Sequence, residues 1–251
     1  MSFSAAWLAL REPADRDARD AGLLEHVRTW LAAKSAPMAV DLGSGTGSTV
    51  RAIGPRAARW TLVDRDAALL AEASALPDVR TVEADLAHVE ALPLDGAVLI
   101  AASALFDLAG RDWIEAIADR IAGQRAGLYA ALTYDGRMEW SVPDPEDAAV
   151  TTAFNRHQTG DKGLGPALGP AAGPALAEAM GKRGYGVRSA GSPWRLDADD
   201  RSLQAELLDG IAQAAGEAGT NAAGWLDRRL GMIDRAVCTI GHVDLFAVPC
   251  R

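Results

Sequence analysis

Apolar and polar positions alternate along this chain in blocks that switch between the period of a strand and the period of a helix. Short apolar runs at Met38–Val40, Trp60–Val63, Val79–Ala84, Gly96–Ser103 and Gly127–Tyr134 have the length and composition of buried strands. Helical spacing falls between them. Leu23, Leu24, Val27, Trp30 and Leu31 place one apolar face on a helix over Ala14–Ala33. Ser48–Ile53 and Asp66–Ser74 read as two further helices, the second opened by an N-cap acid. Arg111–Ala122 puts Trp113, Ile117 and Ile121 on one face. Strand and helix in alternation imply a parallel sheet covered on both sides.

After Tyr134 the alternation breaks. Asp135–Pro170 is rich in Pro and Gly, and a helix is expected only from Asp144 to about Gln158, stopping at Gly160, with Asp161–Pro166 as a mobile loop. Helix Ala175–Lys182 and strand Tyr185–Ser189 follow. Helices are expected over Asp199–Ala215 and Asn221–Arg235, the latter capped by Thr220, and Val243–Val248 closes the sheet. The expected architecture is α/β: a doubly wound, Rossmann-like, mostly parallel seven-stranded sheet with one antiparallel strand near the C-terminus. Helical insertions would form a lid or pocket. All of residues 1–251 fit one domain, with an N-terminal helical region (1–36), a lid or substrate insertion (135–170) and a helical insertion before the last strand (197–236).

A net charge of −9 lacks the basic face that phosphate neutralisation needs, so no nucleic-acid partner is expected. The longest apolar run, Ala97–Phe106, is too short to span a bilayer, and Met1–Leu10 lacks the basic start of a signal peptide, so no membrane partner is expected either. Cys238 and Cys250 sit in no metal-ligand spacing, and no metal site is expected; a reducing, cytoplasmic location follows.

The chemistry concentrates at Met38-Ala39-Val40-Asp41-Leu42-Gly43-Ser44-Gly45-Thr46-Gly47. A strand ends in an acid and enters a glycine turn that opens a helix, a geometry that lets a ligand approach the backbone closely. The spacing is G-x-G-x-G. A dinucleotide fingerprint would need glycine at Ser48, and no P-loop Lys follows. A carboxylate at the strand end disfavours a pyrophosphate and favours a ligand carrying an amine.

These residues resemble motif I of the class I S-adenosylmethionine-dependent methyltransferases. Three further stretches resemble the family in order: Trp60–Asp64, Val82-Glu83-Ala84-Asp85-Leu86, and Gly96–Ser103. The resemblance implies a fold, a methyl-transfer activity and S-adenosyl-L-methionine as cofactor. It places Asp41 at the cofactor's ammonium end and Gly43, Ser44, Gly45 and Gly47 in the turn. It places Asp64, with Arg65 beside it, at the ribose diol, Asp85 and Leu86 at adenine, and Ser103 near the reactive methyl. A small-molecule methyl acceptor is the implied partner.

Methyl transfer is an in-line displacement that requires positioning and exclusion of water, and a base for some acceptors. Asp107 and His157 are the candidate catalytic groups, each with a bland alternative as a cap or a solvated side chain. Asn155, Arg156, Lys162 and Trp194 are candidate acceptor contacts. Asp15, Arg16 and Arg19 read either as lid contacts or as a solvated helix start, and the late helices either shape a pocket or form a homodimer contact. A nicotinamide oxidoreductase and a non-catalytic binding or assembly module are the competing functions.

Overall fold

The computed structural model describes residues 4–250. Helix α1 (Ala5–Ala18) and helix α2 (Ala21–Ala32) replace the single N-terminal helix expected from the apolar spacing. The chain breaks at Arg19 because Asp20 adopts an extended conformation and accepts from Leu23 N, capping a new helix. The Ser4 side chain caps α1 by accepting from Trp7 N.

The sheet-forming half follows the expected order: β1 (Met38–Leu42), α3 (Ser48–Ile53), β2 (Arg59–Asp64), α4 (Ala67–Ala73), β3 (Val79–Glu83), β4 (Leu99–Ser103), α5 (Arg111–Gly123) and β5 (Gly127–Trp140). Strand β5 runs six residues past Tyr134, so Asp135–Trp140, expected in a lid, is sheet. Next come α6 (Asp147–Gln158), α7 (Ala172–Lys182), β6 (Tyr185–Gly191), β7 (Trp194–Leu196), α8 (Arg201–Glu217), α9 (Ala223–Leu230) and β8 (Cys238–Pro249). Helix α9 ends at Leu230, short of Arg235, and starts after Ala222 without a side-chain cap; Asn221 Oδ1 accepts from Ala223 N in the turn leading into it, and Thr220 does not cap it.

The strand order is β3-β2-β1-β4-β5-β8-β6, with β7 paired to β8. The first five strands are parallel, and β8 runs antiparallel between β5 and β6. An eighth strand exists because β8 is long: β6 pairs with Val243–Pro249, and the stub β7 pairs with Cys238–Ile240. The β5–β8 ladder carries register shifts between Ala130 and Thr133 and between Tyr134 and Met138. Such shifts bend a strand pair, and this one extends beyond the parallel strands.

Burial follows three faces. Helices α5 and α7 cover one side of the sheet through Ile114, Ile117, Leu176 and Met180, and α2, α3 and α4 cover the other through Val27, Leu31, Val50 and Leu70. A third cluster wraps the projecting ends of β5 and β8 with α6, α8 and α9, around Val150, Leu208, Ile211 and Trp225. An ion pair ties this annex together: Arg229 donates to both Asp147 oxygens and to Val142 O, and its guanidinium lies over the Trp140 ring. The expected lid is thus largely a packed helix on a sheet extension. Its loop, 159–168, is held by bridges from Leu164 to Ala109 and from Ala167 to Gly110.

Candidate active site

Parallel pairing aligns the carboxyl ends of β1, β2 and β4, and the loops leaving them surround a cleft, as expected where strand order reverses in an open α/β sheet. Gly43, Gly45 and Gly47 all have positive φ (63°, 51° and 86°). Gly43 and Gly45 line the cleft. Gly47 lies outside it and starts α3, where a Cβ would come within 2.6 Å of Leu76 Cδ1. The turn is anchored to β2: Gly43 N and Ser44 N donate to Val63 O, and Gly45 N donates to Asp64 Oδ2 at 2.8 Å. These amides are spent within the protein, so the turn is not an open cradle for a pyrophosphate.

Asp64, Arg65, Asp85, Leu86, Ser44 and Ser103 line the same cleft, as the motif order implies. Asp64 also accepts from Asp66 N, which leaves one further lone pair on each oxygen. Asp41 lies beneath the floor, 1% exposed, with neither carboxylate oxygen hydrogen-bonded. Burial pushes its carboxyl up to about 7, against the opposing pull of Arg19 and of the nearby Thr49 hydroxyl. Arg19 is buried as well; one guanidinium nitrogen donates to Ser103 Oγ at 3.0 Å and the other has no partner. Of the two readings open for Arg19, the solvated one is excluded.

Helix α1 crosses the cleft. Leu8, Arg11 and Asp15, at helical spacing, form one wall, and Arg51 joins Glu12 to Thr46 O of the glycine turn. Arg11 forms a bidentate pair with Asp15 at 2.9 and 3.0 Å, and Asp15 also accepts from Trp194 Nε1 at 3.0 Å.

Beyond Arg11, Ala104, Leu108 and Lys162, which line both spaces, the cleft meets a second cavity of about 510 Å³. Its walls are mostly apolar, with Trp7, Tyr134, Phe154 and Trp194 contributing rings from four different elements. Asp107 and His157 both line it, in different settings. Asp107 follows the junction residue Ala104, and its Oδ1 is buried without a partner. Burial pushes its carboxyl up to about 6, opposed by the backbone amides of Asp107 and Tyr134 and by Arg11. The His157 ring is engaged at both nitrogens, by Glu217 Oε2 at 2.9 Å and Lys162 Nζ at 3.4 Å.

The four expected acceptor contacts divide. Lys162 and Trp194 line the chamber. Asn155 does not: it accepts from Tyr134 Oη at 2.8 Å and donates to Gly136 O, fixing the sheet extension. Arg156 is directed to Ala218 O at the end of α8. Sequence reasoning missed Trp7, Arg11, Tyr134 and His242. The i, i+4 spacing of Trp7 with Arg11 and of Arg11 with Asp15 was the available signal for α1. His242 had none. It is 6% exposed, in edge-on contact with Tyr134 and tilted contact with Trp194, with Nδ1 unpartnered. Burial, then Arg11, pushes it down to about 3, so it is neutral near pH 7.

No protein-family model matches the chain, and no curated protein matches it by sequence. Solved structures do. The cyclopropane synthase MmaA2 from Mycobacterium tuberculosis aligns over 90% of this chain and 83% of its own, with a TM-score of 0.50 at 14% identity. An S-adenosylmethionine-dependent methyltransferase from Geobacter sulfurreducens, in complex with S-adenosyl-L-homocysteine, aligns over 100% of both chains at 15% identity and a TM-score of 0.49. A methyltransferase from Thiobacillus denitrificans in the same kind of complex aligns over 99% of this chain and 100% of its own, at 16% identity and 0.49. The chain has the class I S-adenosylmethionine-dependent methyltransferase fold.

Proposed function

We propose that this protein transfers a methyl group from S-adenosyl-L-methionine to a small-molecule acceptor. The observation that carries the reading is the pair of adjoining spaces: a cleft lined by a glycine turn, Asp64 and Asp85, opening at Ala104 and Leu108 into a separate apolar chamber. Such an arrangement suits a reaction between two bound molecules that must meet with water excluded.

The cleft's residues fit the cofactor. A buried carboxylate with two unsatisfied oxygens is costly, and an ammonium group above Asp41 would offset that cost. The hydroxyl of Ser44, in the turn that lines the cleft, is likewise buried without a partner. Asp64, an acceptor-only group when ionised, suits a ribose diol, with Arg65 beside it. Asp85 and Leu86 suit the amine and the face of adenine. The cofactor supplies an electrophilic methyl on a sulfonium. In this reading the chain binds and orients it, and Asp107 takes a proton from the acceptor. His157, with both ring nitrogens engaged, fits a clasp between α6, α8 and the loop at Lys162 better than a base.

Calorimetry with S-adenosylmethionine, S-adenosylhomocysteine and NAD tests the assignment. Binding of both adenosyl ligands without NAD binding is expected; NAD binding with no response to either adenosyl ligand refutes it.

A further inference from the structure

We infer that the second chamber takes a neutral aromatic alcohol, whose hydroxyl is received by Asp107 and whose oxygen is held by His242. The inference rests on the methyltransferase reading of the cleft and names the acceptor class for the adjoining chamber.

Shape and lining come first. A cavity of about 510 Å³ is within the range of small-molecule sites, and rings on α1, β5, α6 and β7 face it. Aromatic walls favour a flat ring, which gains edge and face contacts beyond its buried area. Three residues that line this space carry a polar atom buried without a partner: Asp107 Oδ1, His242 Nδ1 and Trp7 Nε1. Native proteins rarely leave such atoms unsatisfied unless a ligand or water completes them. Asp107 and His242 both neighbour Tyr134, the first through its backbone amide and the second by pairing across the ladder and by ring contact. The Tyr134 hydroxyl proton is committed to Asn155 Oδ1, so Tyr134 does not supply the donor that Asp107 Oδ1 lacks.

Charge selects the acceptor's ionic state. The groups facing the chamber are Arg11 from α1, Asp107 after β4, Tyr134 from β5, His157 from α6, Lys162 from the following loop, Glu217 from α8 and His242 from β8. Arg11 is already paired with Asp15, and Glu217 with His157 and Gln213, so a charged acceptor of either sign meets a like charge without a free run of opposite charge to pair with. Arg11 also helps to keep His242 uncharged. A neutral hydroxyl faces neither penalty. It donates to the ionised Asp107 and accepts from Trp7 Nε1, while His242 completes its coordination.

A hydroxyl, unlike a neutral aromatic amine, needs a base to become a good nucleophile, and Asp107, which precedes the junction residue Leu108 and lines the chamber, supplies one. In the transfer, the O–H bond breaks and its proton goes to Asp107. The oxygen's electron pair forms the new bond to the methyl carbon. The carbon–sulfur bond breaks, and its pair returns to sulfur as a neutral thioether. The products are an aryl methyl ether and S-adenosylhomocysteine.

The test uses the full chain at pH 8, saturated with S-adenosylhomocysteine, and four probes in calorimetry: 1-naphthol, naphthalene, 1-naphthoate and 1-naphthylmethylammonium. Naphthol is expected to bind at least tenfold tighter than either charged probe. Equal or tighter binding of a charged probe overturns the inference, as does absence of naphthol binding. S-adenosylhomocysteine binding is measured separately, so a failure of the cofactor reading is seen as such. His242→Phe keeps a ring but removes its nitrogens. It is expected to weaken naphthol binding roughly three- to tenfold, the range for one neutral hydrogen bond, without weakening naphthalene binding. Equal loss for both probes would show a packing role only. Asp107→Asn keeps an oxygen that can accept from the hydroxyl but loses its charge and basicity; it is expected to weaken naphthol binding roughly tenfold or more, the range for a hydrogen bond to a charged group, and to lower methylation at saturating naphthol at least roughly 100-fold with S-adenosylmethionine; methylation at the parent rate removes Asp107 as base.

Discussion

The two halves of the site are built on opposite plans. The first cleft draws Gly43, Ser44, Asp64, Asp85 and Ser103 from a stretch of about sixty residues, each at or just after the carboxyl end of a parallel strand, and adds one wall from α1. The second chamber takes its walls from Trp7 to His242, on six separate elements. In the cleft, backbone geometry does the positioning: strand register brings the ends together, and the turn amides lock onto β2. In the chamber, side-chain packing does it. The cleft's form is therefore expected to tolerate changes in the annex, while the chamber is expected to depend on single buried contacts.

The largest effect should come from the wall the two spaces share. Asp15→Ala leaves Arg11, 11% exposed at its side chain, without its carboxylate and Trp194 Nε1 without its acceptor. Breaking a buried pair from one side costs about 3–5 kcal/mol, so denaturant unfolding should show a loss of that size. A change below about 1 kcal/mol would mean that α1 is not packed against the chamber as described.

On the cleft side, Asp64→Ala should weaken cofactor binding by about 1.5–3 kcal/mol, the range for charge-assisted hydrogen bonds. Asp64 also fastens Gly45 N, so the turn loosens with it. Unchanged calorimetric affinity in a folded variant would place the ribose elsewhere.

A pH-dependent effect separates the halves further. His242 takes up a proton near pH 3 when folded and near 6.5 when unfolded. A depressed value means that its stabilisation is fully present above pH 6.5 and is lost as pH falls toward 3, at up to about 1.4 kcal/mol per unit. His242→Phe should flatten this acid limb in unfolding titrations. Asp41 behaves oppositely. Raised to about 7, it contributes stability below pH 3.8 that is lost as pH rises through 7. Ionisation above 7 should strengthen binding of an ammonium-bearing cofactor, and Asp41→Asn should remove that rise.

The smallest effect is expected at Lys162. For a neutral acceptor, Lys162→Gln should shift the acceptor Michaelis constant by less than about 1 kcal/mol. A larger loss would mean that Lys162 holds an anionic group and that the chamber's occupant is charged.

The N-terminal region shows how far one-dimensional reading carries. Apolar spacing located α2 correctly, but it ran that helix back into α1. The break depends on Asp20, which both caps α2 and donates its own N–H to the buried Asp244 on β8, 224 residues away. Asp135-Gly136 likewise has the composition of a turn, and only pairing with β8 across a register shift keeps it in the ladder. Asn155 and Arg156 are polar residues in a segment expected to serve the acceptor, and the fold directs them to Gly136 O and Ala218 O instead.

The amino-acid sequence alone determined the alternation of strands and helices, the glycine turn and the acids at strand ends. These depend on periodicity, on φ and on what a strand's carboxyl end exposes, all set within a few residues. Tertiary structure decided the chamber: which face of α1 turns inward, where β5 bends, and that His242 sits uncharged beside Arg11 and opposite Tyr134. Burial and its electrostatic consequences depend on neighbours brought from distant parts of the chain, and no local pattern encodes them.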